Sequence, residues 1–384
     1  MENPFRFGGV VRGPYFADRL AEMDELTTEM DSMGRVFLVS PRRYGKTCLL
    51  FNLMERLLQK GMAVAFVDLN AHPDLPSLAG GLAQKLAASL ETDLDKLVKL
   101  FSSMRRLRPR LAVGPDGGIS AGLEAVSVRE EAIHALVEGL AQAEALAAKK
   151  RKRLVVIIDE FSDIQKYDGE KVEKAMRSEI QKQEHLSYIF SGSEASVMLA
   201  MVNDRRRAFY KMGRVMTLGP IPREAYLEFI EGWLKKGGIH AAKQEIVRIL
   251  ELAGDIPYNV QRLCHNLWEA AMAVHGKVTT SLVESLPEQI ARQDSPHYEL
   301  IWRSVTPSQR SLLMALVQSP DARPFSRDFQ LQHGIGPSSS IKASLDSLIR
   351  KGIVMQEPGG LYRFTDIFFP RWIEQMTRAQ AGMP

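Results

Sequence analysis

Val36-Phe37-Leu38-Val39-Ser40-Pro41-Arg42-Arg43-Tyr44-Gly45-Lys46-Thr47 begins as an apolar run, breaks at Ser-Pro, and reopens on Gly-Lys-Thr ahead of a helical stretch from Cys48 to Gln59. Strand, loop and helix in that order is the layout of a nucleotide phosphate loop. Backbone N–H groups of such a loop curl around the β- and γ-phosphates, helped by the positive end of the following helix. The candidate nucleotide contacts are therefore Ser40, Pro41, Arg42, Arg43, Tyr44, Gly45, Lys46, Thr47 and Cys48. Lys46 supplies a point charge to the phosphates and the Thr47 hydroxyl takes one Mg²⁺ site. Gly45 is wanted because the backbone must approach phosphate oxygens closely, a position that also admits φ > 0. The pattern departs from G-x-x-x-x-G-K-[ST] at its first position, where Ser40 stands for Gly; Ser can turn a strand end if its φ stays negative.

Arg153-Leu154-Val155-Val156-Ile157-Ile158-Asp159-Glu160 is a second decisive stretch, a continuous apolar strand closed by two acids. The absence of alternation predicts burial on both faces, as in a parallel sheet under helices. A carboxylate at the carboxyl end of such a strand lies in the crevice where ligands bind. Asp159 is the expected Mg²⁺ ligand, directly or through water, and Glu160 the group that polarises the attacking water.

The 384 residues are too many for one ordinary domain, and a chain 45% hydrophobic and 25% charged fits globular domains with a sizeable core. Fifty basic against 46 acidic residues is a mildly basic balance that permits an acidic partner without demanding one. Two cysteines, Cys48 and Cys264, exclude a disulfide scaffold and read as small core residues. No apolar run reaches about 18 residues, so no membrane span is expected. The N-terminus lacks a signal-peptide hydrophobic region, and the cytoplasm is the expected compartment. Neither a Ser-His-Asp set nor metal-ligand His/Cys spacing appears.

Outward from the loop, Ala17–Asp31 has helical spacing with Leu20, Met23, Leu26 and Met30 on one side. Residues 63–69 form a second buried strand, 74–100 one or two helices, and 105–128 an insertion whose Gly114–Gly118 turn suggests a hairpin. A long helix follows over 130–150. Its closing Lys149-Lys150-Arg151-Lys152-Arg153 run reads as solvated cations at a helix C-terminus rather than a nucleic-acid patch. A helix over 170–183, a strand over 186–190 ending in Ser191-Gly192-Ser193, and a strand over 215–218 complete an α/β, doubly wound parallel-sheet core. Three domains are expected: a core over 1–219, a helical region over 220–294, and 295–384. In the last, Thr306-Pro307-Ser308-Gln309 has the pattern of a capping box. Helices over 307–318, 326–333 and 338–351 and strands near 353–356 and 361–364 make a winged helix-turn-helix.

In that order the pieces resemble an AAA+ P-loop ATPase of the archaeal/prokaryotic type, related to the STAND signalling ATPases. The resemblance covers nearly the whole length. It rests on Pro-Arg-Arg-x-Gly-Lys-Thr, the Asp-Glu-Phe strand end, Ser-Gly-Ser at 191–193, Phe-Tyr-Lys-Met-Gly-Arg at 209–214 and Gly-x-x-Pro-Tyr at 254–258. It implies ATP and Mg²⁺ as ligands. It also implies a polar sensor at Ser191 or Ser193, and an arginine finger at Arg214, which in such ATPases often reaches a neighbour's γ-phosphate. Phe16 and Arg19 match the family's adenine-side arm, and Pro257 and Tyr258 its lid motif. The family's lid arginine has no clean counterpart; Arg262 is the nearest. Arg205-Arg206-Arg207 competes for the finger role but reads more readily as a solvated helix face.

Two functional classes follow. One is Mg²⁺-dependent ATP hydrolysis driving a conformational or oligomeric switch; the AAA+ resemblance implies a homo-oligomer, as a ring or helix of protomers, and the STAND kinship allows a resting monomer. The other is an ATP-regulated adaptor with little turnover, its winged helix binding DNA or docking a protein. Retention of Glu160 beside Asp159 favours the first.

Overall fold

The computed structural model describes residues 1–90, 108–113, 119–124, 128–357 and 359–380. The chain divides into two compact units, Gly8–Ile221 and Pro222–Pro384 together with Met1–Phe7.

In the first unit, β1 (Arg35–Val39), β2 (Ala63–Asp68), β5 (Leu154–Asp159), β6 (Leu186–Gly192) and β7 (Arg214–Thr217) form one parallel sheet in the order β2-β5-β6-β1-β7. All six residues of β5 are buried because its two faces serve two cores. Leu154, Val156 and Ile158 join the cluster under the helices Leu75–Ser89, Val128–Lys150 and Gly169–Ile180. Val155 and Ile157 join the opposite cluster, under Leu20–Asp31 and Lys46–Gln59. The helix Lys46–Gln59 fits there through a stripe of Leu49, Leu50, Leu53 and Leu57, all fully buried. In Leu20–Asp31 the expected stripe is shorter: Leu26 and Met30 are buried and Met23 half-buried, but Leu20 opens the helix and is exposed.

The insertion contributes a hairpin, β3 (Arg108–Val113) with β4 (Ile119–Glu124). Its Gly114–Gly118 turn and the 91–100 part of the expected helices lie outside the described residues. The basic run ends the helix Val128–Lys150, where Arg153 donates to the carbonyl of Asp31 at 3.0 Å and Lys150 to that of Leu90. Cys264 is buried as expected, whereas Cys48 is only half-buried and accepts from Val11 N at 3.3 Å. No described helix is long and apolar enough to cross a membrane.

In the second unit, helices Arg223–Lys236, Lys243–Ala253, Pro257–Ala273 and Thr280–Gln293 pack around Ile230, Ile249, Leu263 and Leu286. Residues Met1–Phe7 belong here: Phe5 is buried edge-on against Phe229 and Trp268, and its carbonyl meets His265 Nδ1 at 2.7 Å. Helices Pro307–Gln318, Arg327–His333 and Ser338–Arg350 precede the pair β8 (Val354–Gln356) and β9 (Tyr362–Phe364). The capping box at Thr306 and Gln309 is formed in both directions. Ile341, Leu345 and Leu348 are the buried face of the third helix.

Candidate functional site

The parallel sheet places the carboxyl ends of β1, β5 and β6 side by side, and the candidate residues lie there. Val39 is in register with Gly192 of β6, and Ser40 N continues the ladder by donating to Gly192 O at 3.2 Å. Ser40 is fully buried and its hydroxyl donates to Pro41 O at 3.1 Å. The loop then turns twice through left-handed backbone, at Arg43 (φ 72°) and Gly45 (φ 83°). A Cβ at Gly45 would meet no protein atom, so the positive φ alone calls for glycine. Arg43 holds the same region with a side chain, which the sequence did not announce.

Lys46 opens the helix and is buried, its Nζ 2.9 Å from Asp159 Oδ1 and 2.7 Å from Glu160 Oε1. Thr47 Oγ1 donates to Asp159 Oδ2 at 3.2 Å, and Ser191 Oγ donates to Asp159 Oδ1. Ser193 donates to Glu160 Oε2 twice, from its hydroxyl at 2.8 Å and from its backbone N at 3.2 Å. The two serines thus serve different acids. Glu160 itself has φ 52°, a left-handed bend that turns the chain out of β5 into the 3-10 segment Phe161–Tyr167. Six side chains from two strand ends and one helix start are brought into one hydrogen-bonded cluster.

Asp68 belongs with them, although no motif marks it. It ends β2 in register with Asp159, and its side chain accepts from Asn70 N at 2.9 Å. Burial first, then the charges of Asp159 and Glu160, hold its carboxyl above the usual range. The available signal was an apolar strand ending in an acid, as at Asp159, although alternate residues of β2 are only half-buried where β5 is buried throughout.

Other candidates stand apart from that cluster. Arg19 is buried with φ 80° and braces the loop from behind, donating to Tyr44 O at 3.2 Å and Gly219 O at 2.6 Å. Phe16 is half-buried and packs on the core beneath Leu20–Asp31. Arg12 lies over the Phe51 ring at 4.7 Å, and Asn52 exchanges bonds with Val11 and Gly13, lacing residues 11–13 onto the Lys46–Gln59 helix. Arg214 opens β7 opposite Val36, at the end of the sheet away from the loop, and is exposed in a clamp of Glu25 (2.6 Å) and Glu29 (2.9 Å). It is therefore remote from Lys46 in its own chain.

Arg205, Arg206 and Arg207 are not a helix face. The helix Ala195–Asn203 ends before them because Asp204 accepts from Arg206 N at 3.0 Å and from its guanidinium, drawing the chain into a turn. Arg207 folds inward onto Glu173. In the second unit, Pro257 starts its helix and Tyr258 meets the Phe7 ring edge-on at 6.2 Å. Arg262 is buried, pairs with Asp294 and lies over Phe7 at 5.4 Å, so its charge is committed locally.

Comparison with known proteins bears on the family and the fold. Residues 16–263 match the family model described as an ATPase domain predominantly from Archaea, and residues 296–375 a probable winged helix domain. No curated protein matches the chain in sequence. Among solved structures, the chain is similar to a Walker-type ATPase of Pyrococcus abyssi, at 17% identity and TM-score 0.61 over 97% of this chain and 99% of that one. It is similar to the Aeropyrum pernix ORC2 protein in its ADPNP–ADP complexes, at 12% identity and TM-score 0.55 over 99% and 98%. The Aeropyrum pernix ORC1 protein in complex with DNA follows at 14% and 0.52 over 96% and 95%. At such identities the likeness is one of fold.

Proposed function

We infer the function from a family membership: this chain belongs to the family of ATPase domains found predominantly in Archaea, and it is an ATP-hydrolysing P-loop enzyme with an AAA+-type fold. The finer reading we propose is Mg²⁺-dependent hydrolysis that throws a conformational or oligomeric switch. The observation that carries it is Glu160, gripped through one oxygen by Lys46 and through the other by Ser193. A carboxylate so placed at the end of β5 can be released from the cation without being released from its positioning donor.

The mechanism follows from those bonds. On binding, phosphate oxygens take over the Lys46 ammonium from Glu160 Oε1. Ser193 keeps the Glu160 carboxylate oriented, so the freed oxygen can align a water and accept its proton as the water oxygen bonds to the γ-phosphorus and the bond from that phosphorus to the ADP oxygen breaks. Ser191 fixes the Asp159 rotamer. Thr47 and Asp159 present hard oxygen donors to a common point, the donor chemistry Mg²⁺ prefers, and together they would hold it. When bound, the ion would supply neutralisation of charge on the phosphoryl oxygens. Arg214, remote from its own site, acts in this reading on the site of a neighbouring protomer.

For the winged helix we favour protein contacts that regulate turnover. The exposed face of Ser338–Arg350 carries Lys342 and Arg350 with Asp346 between them, a sparse basic stripe for a phosphate backbone. A salt-sensitive DNA affinity near or below about micromolar, abolished by Lys342→Glu plus Arg350→Glu, would promote the DNA-adaptor reading instead. The primary test is phosphate release by the purified chain with ATP, with and without Mg²⁺. Release only with the metal is the expected result; metal-independent release, or tight ATP binding with none, would overturn it.

A further inference from the structure

Lys174, Arg177, Arg205 and Arg207 converge on one open cavity of about 380 Å³ in the Gly8–Ile221 unit, with Gln181 and Tyr210 in its wall. That volume lies within the range of small-ligand sites, about 300–1,000 Å³. The cavity is no part of the nucleotide site. It borders the C-terminal half of Gly169–Ile180, whose last carbonyl accepts from Arg35 at 2.7 Å. Arg35 begins β1, whereas the phosphate loop leaves β1 at its other end.

The cations are held in different ways. Arg177 donates to the carbonyls of Ala208 and of Tyr210 (3.2 Å), which fix the guanidinium without neutralising it. Arg207 is neutralised by Glu173, a fully buried carboxylate that locks its fork in place. Lys174 pairs with exposed Glu170 at 2.5 Å. Arg205 is exposed and has no carboxylate within ion-pair distance among the described residues. Four cations against Glu170 and Glu173 leave two positive charges at the cavity. Glu179, nearby on the same helix, is paired with Lys182 at 3.7 Å.

We propose that this cavity recognises phosphate groups, either of an inorganic polyphosphate or of a nucleic-acid backbone. Guanidinium forks match phosphate oxygens in pairs, and two unneutralised charges set around one opening suit a ligand with charge on successive groups better than a single carboxylate. The wall segment Arg205–Tyr210 runs on through Lys211 into β7, so an occupant would also stiffen the approach to Arg214.

The test uses the full chain saturated with ADP, so that the phosphate loop takes no probe. Inorganic tripolyphosphate is titrated by calorimetry and a fluorescein-labelled single-stranded oligothymidylate by anisotropy. At least one probe should bind, with affinity falling as salt rises. Arg205→Glu plus Lys174→Glu, both at exposed positions, should weaken that binding by about tenfold or more. Lys149→Glu plus Lys235→Glu, with the same change in net charge elsewhere, should not. Tripolyphosphate alone binding identifies a free phosphoanion; the oligonucleotide binding identifies a backbone. Binding of neither probe, or equal loss in both double variants, overturns the proposal.

Discussion

Nζ of Lys46 stands 2.7 Å from Oε1 of Glu160, so the cation proposed to bind phosphate and the carboxylate proposed to activate water form one ion pair. Whatever draws Lys46 toward phosphate also unhooks Glu160. Replacing Lys46 by Ala should weaken ATP binding by about 10- to 100-fold, the worth of a charge-assisted hydrogen bond. Calorimetric titration measures it, and unchanged affinity would remove Lys46 from the phosphate site.

Glu160→Gln separates the two roles. The amide keeps the shape and a bond to Ser193 but cannot take a proton. ATP affinity should be retained within a few-fold while phosphate release falls by about 10²–10⁴-fold. A variant with near-normal turnover would assign the base elsewhere.

Ser191 and Ser193 can be told apart because each serves one acid. Ser193→Ala should lower turnover at saturating Mg²⁺ with little change in the metal requirement. Ser191→Ala leaves Asp159 short of a donor and should raise the Mg²⁺ concentration needed for half-maximal rate. Identical metal titrations for both variants would contradict this division.

The Arg214 clamp gives a test in two directions. As a finger acting between protomers, Arg214→Ala should keep ATP affinity and lose about 10³-fold in rate, and mixing it with Glu160→Gln protein should restore some activity. Releasing the arginine by Glu25→Gln plus Glu29→Gln should raise turnover. Absence of complementation in a sample shown to oligomerise would argue against action in trans.

Asp68 predicts a pH dependence of stability. Its folded carboxyl titrates above its unfolded value of about 3.9, chiefly through burial. Such a group stabilises fully below the unfolded pKa, and that contribution is lost as pH rises through the folded one. At pH 7.5 its charge therefore opposes folding. Asp68→Asn keeps the acceptor for Asn70 N and should raise the melting temperature there, with the gain shrinking as pH falls toward about 4. An unchanged or lower melting temperature at pH 7.5 would refute the sign.

Elements that the sequence announces are those governed by local rules. The Thr306–Gln309 capping box, the β5 run and the Ile341–Leu345–Leu348 face obey short-range spacing, and each is found where the spacing puts it. What stayed illegible depends on partners far along the chain. Arg214 meets Glu29 across 185 residues, and Arg207 turns inward to a glutamate 34 residues earlier, so three adjacent arginines have three unrelated environments. The cluster at the acids shows the same divide. Its membership followed from motifs, but the assignment of one serine to each acid needed the register of β5 against β6.

The left-handed bend at Glu160 puts a cost on the backbone that its side chain has to offset. A residue with a side chain gives up about 1–2 kcal/mol to hold that backbone region. Glycine adopts it without steric cost but loses the bonds from Lys46 and Ser193 and leaves a buried ammonium with one carboxylate fewer. The corner is thus kept in its bent form by the very contacts that a ligand at Lys46 would have to open.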